Sequence, residues 1–296
     1  MTALASPRRG TIGAAELDRG RAGGPTRATI VLYLLLFLGL LLMVAPFVWM
    51  VLGSFKPQAE FLRTPPTWLP EQPTLDNFQR LFSKLNFPRY FFNSTVIAVA
   101  VTLGNIVFAP MLGYALAKIR FTGKRVLLLL VLSTLMLPAA ATLIPLYVLM
   151  SQLNLVNTYP GLIVPFLAGP FGVFLTRQFF SGLPDELLEA ARIDGAGEFR
   201  IFWMIAMPLA GPILATLGIL TFLGSWNSFI YPLVMAQSPD IYTLPVALAT
   251  FATGQYQADH GMLMAGSLVL ILPVLIVFVL MQRWITEGIA TTGLKG

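Results

Sequence analysis

The sequence predicts an all-α integral membrane protein with six transmembrane helices, and three observations predict it. Of its 296 residues, 56% are hydrophobic and only 11% are charged, for a mean hydropathy of +0.78. A water-soluble domain carries about 25% charged residues, so this chain lacks the charge to cover a solvated surface. Charge is also absent from whole stretches: between Arg27 and Lys56, between Arg89 and Lys118, between Arg125 and Arg177, from Ile201 to Pro239, and from Gly261 to Gln282. The third observation is that the basic residues outside these stretches are shared unevenly between alternate connections.

A helix needs about 20 apolar residues to cross about 30 Å of hydrocarbon. The first span therefore covers about 29–53 and the second about 91–117. The stretch between Arg125 and Arg177 is too long for one helix. It breaks at the polar run Ser151 to Asn154 and the turn-forming Asn157-Thr158-Tyr159-Pro160-Gly161, giving spans at about 126–149 and 160–177. Spans five and six follow at about 205–232 and 262–282. The first apolar run exceeds the length of a signal-peptide core, about 7–15 residues, so it reads as an uncleaved helix.

Lys and Arg concentrate in cytoplasmic connections. One set of connections holds Arg8, Arg9, Arg19, Arg21 and Arg27, then Lys118, Arg120, Lys124 and Arg125, then Arg177, Arg192 and Arg200, and finally Arg283 and Lys295. The other side holds Lys56, Arg63, Arg80, Lys84 and Arg89, all in one loop. Both termini are therefore expected to be cytoplasmic. The expected organisation is a mobile cytoplasmic tail over 1–28, a six-helix transmembrane bundle over 29–282 with a cytoplasmic loop at 178–206, and a cytoplasmic tail over 283–296. The net charge of +6 reads as topology, and nucleic acid is not an expected partner.

Composition removes several chemistries. Without cysteine there is no disulfide, thiolate metal site or Cys nucleophile, and one histidine, His260, excludes a site needing two imidazoles. The spans hold no carboxylate, lysine or arginine, which disfavours a proton relay, an intramembrane protease and a metalloenzyme. No Gly-Lys-Ser/Thr phosphate loop is present, so ATP is not bound through one. No cofactor, no metal and no catalytic residue is expected. Eight prolines within the spans (Pro46, Pro110, Pro138, Pro145, Pro165, Pro170, Pro212 and Pro273) admit two readings, tolerated kinks or hinges around a path.

The loop at 178–206 carries the water-facing chemistry. Pro184 suits a first helical position, while Asp185 and Glu186 complement the positive end of the helix dipole. Leu187 and Leu188 precede Ala191 by four and three residues, which places them on one face with it, and Gly195 supplies a stop. An ordinary interfacial helix and a docking element both fit these residues; the small Ala190-Ala191 pair favours close approach by another protein.

Glu189-Ala190-Ala191, Gly195, Ile205 and Met207-Pro208 resemble the EAA loop of ABC importer permeases, with Met207 replacing the family's leucine. Gly53 to Pro57, Pro73 to Phe78, Asn93-Ser94, Tyr114 to Ala117, Ile144 to Tyr147, Trp226-Asn227 and Gly288 to Gly296 are similar to the carbohydrate-uptake branch, in particular its maltose-type second permease subunit. The resemblance covers nearly the whole chain beyond residue 29. It implies the ABC type I importer permease fold, in a multi-pass protein of the bacterial plasma (inner) membrane. The implied partners are a second homologous permease subunit, two ATP-binding-cassette ATPase subunits, an extracytoplasmic solute-binding protein, a carbohydrate and membrane lipid. It further implies that Glu189, Ala190, Ala191, Asp194, Gly195 and Pro208 couple to the ATPase, and that Gly293 and Lys295 in the tail touch it.

Asn105, Tyr114, Trp226, Asn227 and Tyr231 are candidate translocation-path residues, and helix packing explains them equally well. Asp240, Asp259 and His260 read as outer-loop residues, and the Asn93-Ser94-Thr95 glycosylation pattern as chance. The expected function is a non-catalytic translocation subunit for a sugar or oligosaccharide. Glycerol-phosphate or polyol-type solutes are the alternative within the class, and an ion-coupled carrier the alternative outside it.

Overall fold

The computed structural model describes residues 27–253 and 259–293, and every regular element among them is helical. Two units divide the chain, Met1–Trp49 and Met50–Gly296. The expected N-terminal tail lies outside the described residues as far as residue 26. Helix α1 (Arg27–Ser54) keeps Pro46 within it and leaves apolar side chains such as Leu36 and Leu42 exposed, a surface suited to lipid.

Loop 55–86 is folded around paired charges. Helices α2 (Gln58–Phe61) and α3 (Asp76–Lys84) lie in it. Lys56 and Glu60 are 2% and 4% exposed, 4.0 Å apart, and share Thr67 as a further partner. Buried charges persist only when paired and hydrogen-bonded in this way. Asn77 Nδ2 donates to the carbonyls of Ser54 and Lys56, each at 2.8 Å, and Arg80 pairs with Asp259.

Helix α4 (Phe87–Lys118) is the central pillar, packed along α8 (Pro170–Ser181) and α12 (Gly211–Trp226). Gly113 permits the first contact: a Cβ there would run into the Thr176 hydroxyl and lie 2.8 Å from the Arg177 backbone nitrogen. Small residues at such crossings let membrane helices approach backbone to backbone.

The expected third span, 126–149, is not one straight helix. Helices α5 (Lys124–Met136) and α6 (Ala139–Gln152) meet at 111°. Pro138 has no N–H to continue α5 and forces Leu137 into extended backbone, ψ 126°. The expected fourth span is also interrupted: α7 (Tyr159–Ile163), a tight turn over Val164–Phe166, and then α8. The fifth begins after a 79° bend at Ala210 and stops at Trp226, with α13 (Ile230–Met235) as a separate piece. Prolines accordingly divide. Pro46, Pro110, Pro145 and Pro273 sit inside continuous helices, whereas Pro138, Pro165, Pro170 and Pro212 stand at breaks.

Between the fourth and fifth spans run α9 (Asp185–Ile193), α10 (Glu198–Ile201), a π-helical turn over Phe202–Ala206 and α11 (Met207–Leu209). Helix α14 (Leu244–Thr253) precedes α15 (His260–Gly293), which continues past the expected end at 282. Among the described residues four helical runs are long and apolar enough to cross a membrane, or up to six when each bent pair counts as one span.

The outer-loop residues are tied in rather than merely solvated. Asp259 pairs with Arg80 and its Oδ1 accepts the Met262 N–H, capping α15. Asn93 is fully buried; its Nδ2 donates to the carbonyls of Asp240 and Tyr242, and its Oδ1 accepts the Tyr159 hydroxyl at 2.5 Å. The Asn-Ser-Thr pattern is thus occupied by structure.

Candidate functional site

Two regions concentrate polar geometry, a loop at one end of the bundle and a cavity within it. The loop is stiffened by its own turn. Helix α9 ends with the Ala196 N–H donating to the Ala191 carbonyl and the Gly195 N–H to the Arg192 carbonyl, both at 3.0 Å. Gly195 has φ +81°, so this is a Schellman stop that needs a left-handed residue. Leu188 is buried against Tyr114, Phe180, Ile201 and Phe202, and Ala191 is partly buried beside them. Leu187, expected on the same face, is exposed.

Polar latches join the loop to α4. Tyr114 Oη donates to Glu198 Oε2 at 3.2 Å, and Arg192 Nε donates to Glu198 Oε1 at 2.7 Å. Lys118 Nζ donates to Asp185 Oδ1 and to the Leu183 carbonyl, each at 2.6 Å. The Arg192 hydrogen bond and charge hold the Glu198 carboxyl below the usual carboxylate range, against the opposing effect of burial. Lys118 does the same for the exposed Asp185.

What remains free on this loop is its outer surface. Glu189, Ala190, Asp194, Gly195 and Pro208 are exposed. Around them stand Ile193, Phe199 and Met204, exposed by 85%, 70% and 64%. A hollow of about 210 Å³ opens between Ala191, Asp194, Arg200 and Met204. Gly293 is the last residue of α15, and Lys295 lies outside the described residues.

The cavity, about 360 Å³, is walled by α4, the Val164–Phe166 turn, the start of α8, α12, α13 and Thr243. Of the five residues expected along a path, Tyr231 lines it, and so does Asn105. Its Nδ2 donates to the carbonyls of Val101 and Phe166, at 3.0 and 2.6 Å, and its Oδ1 accepts the Gly169 N–H at 2.8 Å. Asn105 thereby satisfies the backbone freed by the break before α8, which the membrane interior requires. Tyr114 lies elsewhere, in the aromatic cluster with Phe180 and Phe202. Trp226 is 2% exposed, donates to the Leu270 carbonyl at 3.0 Å and stacks on Phe222. Asn227 is exposed and donates to the Leu223 carbonyl of its own helix.

Five hydroxyl-bearing residues stand in the cavity wall, Ser94, Thr221, Ser225, Ser228 and Thr243; Ser94 was named from sequence only within the Asn93-Ser94 pair, and the other four were not singled out. A signal existed. Thr221, Ser225 and Ser228 recur at i, i+4 and i+7, one face of a helix. Among the described residues, no Asp, Glu, Lys, Arg or His stands in this wall.

A family model described as "Binding-protein-dependent transport system inner membrane component" matches residues 109–290. The arabinooligosaccharides transport system permease protein AraQ of Halalkalibacterium halodurans is 42% identical over 256 residues, 86% of this chain and 91% of that protein. The diacetylchitobiose uptake system permease protein NgcG of Streptomyces coelicolor is 33% identical over 278 residues, 93% and 92% of the two chains. In fold, the chain is similar to a chain of a bacterial ABC transporter involved in the import of the acidic polysaccharide alginate. That match has a TM-score of 0.80 at 24% identity and covers 88% of this chain and 99% of the other.

Proposed function

Because the chain belongs to the binding-protein-dependent transport system inner membrane component family, we propose that it is a translocation subunit of an ABC importer that brings a sugar or oligosaccharide across the bacterial plasma membrane. In this reading both termini and the 178–206 loop are cytoplasmic, as the distribution of Lys and Arg favours. The subunit pairs with a second permease and two ATPase subunits, receives its cargo from a solute-binding protein, and performs no catalysis itself. The carbohydrate class is supported by the relatives AraQ and NgcG, whose names record oligosaccharide transport.

The observation that carries the mechanism is the construction of the loop. Its inner face is held to α4 by Tyr114, Glu198, Lys118 and Asp185, while its outer face presents Ile193, Phe199 and Met204 around the EAA residues. An exposed apolar patch on a rigid support is what a protein partner covers. Seated in an ATPase cleft, the loop would move with it and pull on α4 through the latches. The spans that follow contain no charge of their own to respond to an ion gradient. Glu189, Ala190, Ala191, Asp194, Gly195 and Pro208 are the docking residues in this proposal, with Gly293 and Lys295 as a second contact.

The test uses the assembled transporter. Glu189→Lys reverses the charge at the dock without touching the apolar spans. The variant should reach the membrane at the normal level yet lose cargo-stimulated ATP hydrolysis and uptake of arabinotriose or diacetylchitobiose. Wild-type hydrolysis and uptake in Glu189→Lys would remove the docking role. Uptake that survives deletion of the ATPase subunits, but stops when ion gradients are collapsed, would replace the importer reading with an ion-coupled carrier.

A further inference from the structure

Hydroxyl groups inside membrane helices ordinarily turn back onto their own backbone, because no water is there to bond them. Four threonines outside the cavity wall follow that rule. Thr95, Thr102, Thr216 and Thr250 each donate to the carbonyl four residues earlier. In the cavity wall Thr221 and Ser225, both in α12, depart from it, and Ser228 and Thr243 stand outside the helices. The side-chain hydroxyls of Thr221, Ser225, Ser228 and Thr243 make no hydrogen bond among the described residues. Thr243 is only 4% exposed, and its Oγ1 is wholly shielded without a partner. Ser94 Oγ accepts the Leu244 N–H at 2.7 Å, which leaves its own proton to donate inward. A buried polar atom without a partner marks a place where a partner from outside belongs.

We propose that this cavity is a cargo-binding subsite for one neutral, polyhydroxylated ring, so that this subunit itself touches the sugar; the proposal rests on the carbohydrate-permease reading above. The chemistry of the wall selects the class. Thr221, Ser225, Ser228, Thr243 and Ser94 each supply a group that both donates and accepts, which matches alcohol groups on a sugar. Phe166 stands edge-to-face against Tyr231, centroids 4.9 Å apart, and Tyr231 is fixed by donating to the Gly161 carbonyl at 2.7 Å. A braced aromatic face with negative quadrupole suits the C–H face of a pyranose or furanose. A phosphate or carboxylate would enter a wall that holds no cation among the described residues, where its charge is not compensated. The volume, about 360 Å³, falls within the about 300–1,000 Å³ of small-molecule sites.

The chain contains no cysteine, so a single introduced thiol is a unique reporter on it. In the complete transporter, S225C is modified with a water-soluble methanethiosulfonate with and without arabinotriose. At a sugar concentration ten times its Kd, modification should slow about tenfold. sn-Glycerol 3-phosphate should give no protection, and S133C on α5 should react equally with and without sugar. T243V in the S225C background should raise the protecting concentration about 2- to 12-fold, the effect of one lost hydrogen bond, with T243S restoring it. If the S225C transporter imports arabinotriose but neither it nor T221C is protected, the cavity is filled by a partner subunit or lipid and the proposal is overturned. Protection by sn-glycerol 3-phosphate equal to that by the sugar would overturn the class. If the unmutated transporter imports neither arabinotriose nor diacetylchitobiose, the carbohydrate reading itself fails, and the subsite with it.

Discussion

Tyr114 Oη and Glu198 Oε2, 84 positions apart in the chain, are hydrogen-bonded at 3.2 Å, and this bond ties the end of α4 to the 178–206 loop. Glu198 is simultaneously held by Arg192, so its two carboxylate oxygens bridge α4 and the end of α9. A carboxylate with two fixed donors on different elements transmits displacement between them.

Tyr114→Phe removes the hydroxyl and keeps the ring against Phe180 and Phe202. A hydrogen bond to a charged acceptor contributes about 1.5–3 kcal/mol, so the melting temperature of the purified complex should fall by a few degrees. Sugar transported per ATP should fall more than ATP hydrolysis does. An unchanged transport-to-hydrolysis ratio would show that the bond is a packing detail.

Gly195 isolates a backbone effect. Nothing lies within 4 Å of the position its Cβ would take, so Gly195→Ala meets no side chain and is strained only through φ +81°. The cost of a left-handed non-glycine residue is about 1–2 kcal/mol. Gly195→Asn should be milder than Gly195→Ala, and Gly195→Val worse than both, in cargo-stimulated ATP hydrolysis. Equal activity in all three variants would mean that the Schellman turn does not aim the loop.

Asn105→Leu has a different signature. It strands the Phe166 carbonyl and the Gly169 N–H, which lose their partner at a break in the membrane-spanning backbone. Each buried unsatisfied group costs about 1–3 kcal/mol. The variant should therefore lose thermal stability and yield of folded protein, and Asn105→Gln should recover little because its longer arm misplaces both bonds. Normal melting of Asn105→Leu, measured in detergent, would remove the clamp role.

The loop latches also predict a pH response. Glu198 and Asp185 have their carboxyls held below the ordinary 4.5 and 3.8 by Arg192 and Lys118. A depressed carboxylate contributes stability that is fully present above its unfolded value and is lost as pH falls through the folded one. Melting temperature should thus be insensitive to these groups well above their ordinary 4.5 and 3.8 and decline as the pH falls below those values toward the depressed ones. In Glu198→Gln the part of that decline due to Glu198 should vanish. A latch-dependent loss already visible between pH 6 and 8 would contradict the assignment.

The charge-free stretches were enough to locate the four helical runs long and apolar enough to cross a membrane, though not the shorter apolar α14, because the cost of placing an ion in hydrocarbon acts on each residue wherever its neighbours are. Gly195 was legible for a similar reason: a helix stop is a property of a few adjacent residues, and the φ of +81° follows from it. The EAA pattern was equally local. Pro138 was visible in the sequence, but the 111° between α5 and α6 was not, since a proline specifies a missing hydrogen bond and leaves the direction to the surrounding packing.

Tertiary structure decided the partners. Asn105 and Tyr114 looked equivalent as polar residues on one apolar helix, yet one clamps the break before α8 and the other reaches Glu198 at the loop. The hydroxyls of Thr221, Ser225 and Ser228 share a helical face in the sequence, whereas Thr243 joins them only through the folded chain. Solvation energies are additive along a sequence and can be read from it one residue at a time. A hydrogen bond is a relation between two groups, and which two meet is settled only when the helices are packed.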